Sequence, residues 1–166
     1  ATNAAAAMAV SDLVYLACPP VPRHELALMA AAAGKAVFLE KPLGVDLTAS
    51  ANLVETLQNS GVPAAVNFTQ AAGAALANIS EAADNGNLGE IVGIDIIVTY
   101  ETWPREWQKE ADWLRFRAEG GMTREVLSHF MFFSERLLGP LEMVFAHPNY
   151  PADRSLCETH LFARLE

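Results

Sequence analysis

The feature that most constrains the fold is a strand, helix and strand pattern near the start of the chain. Residues 12–17 form a nearly continuous apolar run, as in strands that are buried on both faces. Pro19, Pro20 and Pro22 then end the strand, because proline cannot donate to a strand ladder. Good helix formers fill 23–33, Gly34 stands where a helix C-terminal cap belongs, and 36–39 is apolar again. This order predicts a right-handed parallel crossover unit.

The pattern continues for about one more crossover and then changes. Asp46 is a predicted N-cap for a helix over 47–59, followed by a strand over 64–68 and a helix over 74–84. Further on, β-branched residues predict a strand over 91–100, and residues 103–112 are a predicted loop. A helix over 121–138 and strands over 141–147 and 156–165 complete the prediction.

We therefore predict the α/β class, with a partial Rossmann-like parallel sheet followed by part of an α+β domain with a mainly antiparallel sheet. The predicted domains are 1–70, the later part of a dinucleotide-binding domain, and 71–166, part of a substrate-binding and oligomerisation domain. The alanine-rich start is expected to be the end of a helix.

Composition narrows the classes of partner. A formal charge of −9 and a pI near 4.8 argue against nucleic acid, because phosphate binding depends on clustered Lys and Arg. Cys18 and Cys157 give neither a zinc motif nor a disulfide framework, so we expect a cytoplasmic protein without a metal site. No apolar run reaches the roughly 20 residues of a membrane span. A small-molecule substrate fits better.

Several ordered motifs resemble the Gfo/Idh/MocA family of oxidoreductases. Residues 12–20 and 33–43, which include Glu40-Lys41-Pro42, resemble the second half of the nucleotide domain of that family. The turn at 87–91, Asn-Leu-Gly-Glu-Ile, resembles the start of its second domain. The Trp113-Leu114-Arg115 segment, the glycine pair at 120–121, and Glu125 with His129 are similar to its Trp-Arg, Gly-Gly-Gly and Asp-x-x-x-His elements.

This resemblance implies hydride transfer between NAD or NADP and a carbinol or carbonyl carbon, most often on a sugar, cyclitol or related polyol. It also implies a homo-oligomer formed through the sheet of the second domain. The sequence contains no G-x-G-x-x-G, and it stops before the later strands of the family. We therefore expect a fragment of a longer dehydrogenase or reductase, inactive on its own.

Lys41, His129 and Glu125 are the candidate catalytic residues, since in the family the lysine and the Asp/His pair surround the reacting oxygen. Lys41 follows a strand at the carboxyl end of a parallel sheet, where such folds bind ligands, and its ammonium could donate to a developing alkoxide. Glu125 and His129 are four residues apart and share one helix face, so the carboxylate could orient the imidazole. An ordinary helix contact beside a Met and Phe stripe would give the same spacing.

The candidate cofactor-binding and substrate residues lie around these groups. The expected cofactor-binding residues are Cys18, Pro19, Pro20, Glu40 and Lys41. Trp113 and Arg115 are candidates for substrate binding, although a segment rich in Trp and Arg also suits an oligomer contact.

The chain also departs from the family pattern. The departures are Glu125 for the aspartate, Phe132 for a second acid, Arg23 for the usual histidine (His24 is next), and Gln70-Ala71 for an arginine. They leave open an alternative: a non-catalytic short paralogue that acts as a ligand-binding or protein-interaction module.

Overall fold

The computed structural model describes residues 3–166, apart from the side chain of residue 71. The chain divides into two compact units, the first ending at Asn67 and the second spanning Phe68–Glu166. The domain limits 1–70 and 71–166 stay a proposal, because compactness alone does not show that either part folds independently.

The first unit alternates helices and strands in the predicted order. Its elements are α1 (Ala4–Ala9), β1 (Leu13–Leu16), α2 (Pro20–Ala32), β2 (Ala36–Glu40), α3 (Leu47–Ser60) and β3 (Ala64–Asn67). The strands pair in parallel in the order β1-β2-β3, with Leu16 opposite Leu39 and Glu40 opposite Asn67. The carboxyl ends of all three strands therefore meet at one edge, which we call the carboxyl edge.

Local sequence signals account for the ends of these elements. Asp46 caps α3, since its side chain accepts a hydrogen bond from Ala49 N at 2.7 Å, and Gly61 ends this helix in the left-handed region with φ of 68°. The alanines at the start form α1, and residues 1 and 2 lie outside the described part of the chain. Ala27 and Ala30 of α2 are fully buried, because small side chains let the helix pack closely on the sheet.

The second unit combines helical segments with a strand pair. Its elements are α4 (Thr69–Ala72), α5 (Ala74–Asp84), 3-10 turns at Glu106–Gln108 and Asp112–Arg115, a π-helical turn at Thr123–Leu127, α6 (Ser128–Leu138), β4 (Met143–Asn149) and β5 (His160–Leu165). β4 and β5 pair antiparallel, with an irregularity between Met143 and Phe145. The mixed α/β class is thus confirmed.

Two predicted strands of this unit need correction. Residues 91–100 are not a strand, because within the described residues they lack the ladder of backbone hydrogen bonds to a neighbour that defines one. The strand predicted over 156–165 is confined to His160–Leu165, and Leu156 makes only an isolated bridge to Phe116. A β-branched sequence favours extended backbone, but a strand also requires a partner.

Candidate active site

Lys41 lies at the carboxyl edge, directly after β2. Its side chain is buried, with 7% exposure, although lysine is among the residues least often found buried. The chain leaves the sheet here because Pro42 has no N–H with which to continue the ladder. The structure thus places Lys41 at the strand end where the sequence predicted it.

Arg23, in the first turn of α2, holds the turn that contains Lys41. Its Nη1 donates to the carbonyl oxygens of Glu40 and Pro42, both at 2.5 Å. Its Nη2 and Nε donate to the carbonyl oxygen of Cys18 at 2.5 and 3.1 Å. Arg23 is only 2% exposed and therefore connects the end of β1 to the turn after β2. In the sequence, Arg23 is recognisable only as the residue that replaces the usual histidine of the family. Its position among prolines, between the ends of two strands, could have indicated that it binds the backbone there.

The Glu40 carboxylate is bonded to both neighbouring strands. It accepts hydrogen bonds from the hydroxyl group of Tyr15 on β1 and from Asn67 Nδ2 on β3, the latter at 2.9 Å. The hydrogen bond to Glu40, helped by partial desolvation, raises the pKa of the Tyr15 phenol above its ordinary value. Glu40 was predicted to contact a cofactor; the structure shows its carboxylate joining the ends of three strands.

The Cys18-Pro19-Pro20 turn has few free hydrogen-bonding groups, so it would contact a ligand mainly through van der Waals packing. The Cys18 carbonyl already accepts from two nitrogens of Arg23, and the Pro19 carbonyl accepts from Arg23 N at 3.2 Å. Neither proline has an N–H to donate. Pro20 is fully buried, whereas Cys18 and Pro19 are half-buried. Contact with a ligand here would therefore come mainly from Cys18 and Pro19.

In the second unit, His129 lies in the first turn of α6 beside an aromatic cluster. Its ring meets Phe68 edge-on, with centroids 6.1 Å apart. Phe68 in turn stacks on Phe132 at 4.2 Å. Phe132, which occupies the position of the expected second acid, is therefore a packing residue that supports Phe68, the ring that meets the imidazole.

Glu125 lies one turn before His129, in the π-helical turn. Its carboxylate accepts a hydrogen bond from Gln108 Nε2 at 3.0 Å and lies 3.7 Å from Arg105 Nη2. Arg105 also donates from Nε to Gln108 Oε1 at 2.7 Å, and its guanidinium lies over the ring of Trp107 at 4.6 Å. Gln108 is buried. Glu125 thus connects Arg105 and the 3-10 turn Glu106–Gln108 to the π-helical turn, a role that the sequence did not predict.

The glycine pair at 120–121 packs closely against other parts of the same chain. A Cβ on Gly120 would overlap the backbone of Leu114, and one on Gly121 would lie 2.7 Å from Glu158 Oε2. Glu158 Oε1 accepts from Thr123 N at 2.6 Å at the start of the π-helical turn. The two glycines are therefore required by close packing within the chain itself.

Trp113 and Arg115 belong to the same 3-10 turn but differ in exposure. Trp113 is half-buried, while Arg115 is exposed and lies 3.2 Å from Asp112 Oδ1. Arg115 also lines an open groove of about 960 Å³ in the second unit, together with Tyr100, Trp103 and other residues. Of the two residues predicted to bind substrate, Arg115 is the more accessible.

Within residues 3–166, no group of three or more His, Cys, Asp and Glu side chains is placed to hold a metal ion. None of the helices in this described range has the length and apolar character needed to cross a membrane.

The first unit matches a known protein family. Residues 2–68 match the GFO_IDH_MocA family model, described as an oxidoreductase family with an NAD-binding Rossmann fold. No curated protein sequence gives a significant match to the chain.

Solved structures match almost the whole chain. The WlbA dehydrogenase from Bordetella pertussis, in complex with NADH and UDP-GlcNAcA, has 26% identity and a TM-score of 0.86 over 99% of this chain and 48% of its own. KijD10, a 3-ketoreductase from Actinomadura kijaniata in complex with TDP-benzene and NADP, has 25% identity and a TM-score of 0.75 over 93% of this chain and 45% of its own. An inositol dehydrogenase homolog from Azotobacter vinelandii, complexed with NAD+, shares the fold at 22% identity and a TM-score of 0.79, over 98% and 45%.

The chain spans about half the length of these structures. The family match over 2–68 is to an NAD-binding Rossmann fold. The parallel sheet, with a lysine at its carboxyl edge, is consistent with that fold. The chain therefore resembles the Gfo/Idh/MocA family of oxidoreductases, whose family model matches residues 2–68.

Proposed function

We propose that the protein containing this chain is an NAD(P)-dependent dehydrogenase or reductase acting on a carbinol or carbonyl carbon of a sugar, cyclitol or related polyol. The observation that carries the proposal is the buried Lys41 at the carboxyl edge of a parallel sheet that matches the family. The structures of similar fold in complex with NADH and UDP-GlcNAcA or with NADP and TDP-benzene support the substrate class. We further propose a cytoplasmic homo-oligomer assembled through the C-terminal sheet.

The groups at the carboxyl edge fit the nicotinamide and ribose part of a dinucleotide. The oxygens of that part are hydrogen-bond acceptors, and the Lys41 ammonium is a donor. Cys18 and Pro19 are accessible enough to contact its apolar surface, while Pro20 and Glu40 would shape the site from behind. When bound, NAD(P) supplies or accepts the hydride. No glycine-rich phosphate turn occurs in this sequence, so the pyrophosphate would need residues outside it.

Lys41 is the proposed donor to the reacting oxygen. An ammonium group on a buried lysine can stabilise a developing negative charge with little solvent reorganisation. We expect Nζ to hold this oxygen in both directions of the reaction, as alkoxide or as carbonyl. Burial strengthens the interaction because fewer waters compete for the charge.

His129 is the proposed acid and base. Its imidazole would take a proton from a substrate hydroxyl during oxidation and return it during reduction, the acid and base role that histidine most often fills. Glu125 would assist by orienting the first turns of this helix, in keeping with its bonds to Gln108 and Arg105. Arg115, with Trp113 behind it, would contact the substrate from its 3-10 turn.

The test uses the natural polypeptide that contains this sequence. Fluorescence titration with NADH and with NADPH, followed by turnover assays on cyclitols, sugars and nucleotide sugars, should show binding of one dinucleotide and activity on one substrate class. We expect Lys41→Ala to lower kcat by about 10²–10³-fold, the usual loss when one oxyanion donor is removed. Lys35→Ala, at the lysine just before β2 and at the opposite end of that strand from Lys41, is the matched control and should leave kcat unchanged.

The outcomes separate the proposal from its alternative. Binding of neither dinucleotide would favour a non-catalytic module, in which the bond between Glu125 and Gln108 has a structural role only. Undiminished turnover in Lys41→Ala would remove the role given to this lysine. The chain of 166 residues alone is expected to be inactive, which the same assays would check.

A further inference from the structure

We infer that Arg23 is a positioning residue for Lys41. One nitrogen of its guanidinium, Nη1, holds the carbonyl oxygens of Glu40 and Pro42, the residues directly before and after Lys41 in the chain. The backbone of Lys41 is thus fixed on both sides by the same group. The importance of this position for catalysis rests on the proposed function, whereas the positioning itself does not.

The rest of the guanidinium ties this turn to the sheet. Nη2 and Nε both donate to the Cys18 carbonyl, just beyond the end of β1. A planar fork with a fixed charge suits three carbonyl targets in different directions, which the single ammonium of a lysine cannot satisfy together. Hydrogen bonds from a charged donor are also stronger than neutral ones. Arg23 therefore sets where the turn after β2 lies relative to the end of β1.

Glu40 is held a second time through its side chain. While Arg23 binds its carbonyl, Tyr15 and Asn67 bind its carboxylate. The residue before Lys41 consequently has little freedom to rotate. Loss of Arg23 would free the Pro42 side of the turn while leaving the carboxylate of Glu40 in place, so the effect should be local.

Burial makes Arg23 hard to replace. Arg23 is only 2% exposed, so water cannot readily reach the three carbonyl groups to replace the donors that they would lose. Arg23→Met keeps the apolar stem and removes every donor, so we expect the Lys41 turn to become mobile. Arg23→Lys keeps the charge and one point of contact, so we expect a partial effect.

Lysine labelling tests this inference without substrate or cofactor. The chain has three lysines, Lys35, Lys41 and Lys109, so lysine labelled with ¹³C at Cε gives a spectrum that three Lys→Arg variants can assign. In the unaltered chain the Lys41 signal should differ from that of the exposed Lys109 in shift and relaxation. In Arg23→Met it should move most of the way toward the Lys109 values. In Arg23→Lys, where the added lysine gives a fourth signal and Lys41→Arg in that background identifies Lys41, it should move about halfway. Lys35 and Lys109 should not change.

A core variant separates positioning from general loss of stability. Leu53→Ala weakens the core of the same unit without removing any Arg23 hydrogen bond, and it should leave the Lys41 signal in place while the melting temperature falls. An Arg23→Met chain that stays folded with an unchanged Lys41 signal would overturn the inference. If Arg23→Met fails to fold, Arg23→Lys decides, and an unchanged Lys41 signal in that variant overturns the inference equally.

Turnover assays on the natural polypeptide test the same inference independently of the lysine spectra. A displacement of about 1 Å can cost on the order of 10²-fold in rate, so Arg23→Met should lower kcat by about that factor with a smaller change in KM. If Lys41→Ala keeps full turnover, the proposed function of Lys41 fails, and the spectra still decide whether Arg23 positions it.

Discussion

The two units of this chain are stabilised in different ways. The first has one contiguous core of buried apolar side chains: Met8, Leu16, Ala27, Ala30, Ala31, Val37, Leu39, Leu53 and Leu57. In the second, the buried apolar residues described are few and separated in sequence: Leu76, Leu114, Val126 and Cys157. There, close backbone packing and buried polar groups carry more of the specificity, as at Gly120 and Gln108.

This difference shows where each unit should be sensitive to change. A core that is mainly apolar loses stability with the volume removed, since every buried methylene contributes. A unit held by specific contacts loses stability where a glycine cannot be replaced or where a buried donor loses its acceptor. Pairs of substitutions, one at a sensitive site and one at a control site, test this difference between the two units.

The largest effect on stability is expected for Leu53→Ala in the first core. Leu53 is fully buried, so the truncation should lower the free energy of unfolding by about 2–5 kcal/mol. Leu138→Ala, at an exposed position of α6, should stay within about 0.5 kcal/mol of the unaltered chain. Denaturant titration measures both. Equal losses would mean that burial does not distinguish the two sites.

Gly120→Ala tests close packing in the second unit. The added methyl group overlaps the Leu114 backbone, which cannot move as easily as a side chain, so we expect a loss of about 1–3 kcal/mol. The matched control is Gly93→Ala, whose Cβ would meet nothing within 4 Å and whose φ is not positive. Thermal melting of the two variants should differ by several degrees. A neutral Gly120→Ala would contradict the packing account.

Removing the cap of α3 should have a smaller effect. Asp46→Ala deletes the acceptor for Ala49 N and should cost about 0.5–2 kcal/mol, whereas Asp46→Asn should retain most of the capping. Chemical denaturation can compare the two variants. If Asn and Ala prove equally destabilising, the helix does not depend on this hydrogen bond.

The smallest effect is expected from Tyr15 at alkaline pH. Because the hydrogen bond to Glu40 raises the pKa of the phenol above 10.0, its stabilisation is complete below that pH and is lost as pH rises through the folded-state pKa. The stability advantage of the unaltered chain over Tyr15→Phe should therefore shrink above pH 10. Urea titrations at about pH 8 and about pH 11 give the comparison. A constant difference would exclude the Tyr15 phenol as its source.

Sequence patterns predicted the first unit well because its signals are local. The apolar runs of β1 and β2, the prolines after β1, the cap at Asp46 and the glycine at the end of α3 all act over a few residues. The same holds for the placement of Lys41 at a strand end. Residues 91–100 were predicted wrongly because a strand depends on a partner that local sequence does not specify.

By itself, the sequence determined the crossover topology, the helix caps and the motif that carries Lys41, since backbone preferences and hydrophobic periodicity fix these over short distances. Only the tertiary structure decided what the polar side chains bind. Arg23 reaches carbonyl groups up to 19 residues away, and the Glu40 carboxylate joins residues on two other strands. Such bonds follow from how helices and strands pack in space, which no local pattern of residues records.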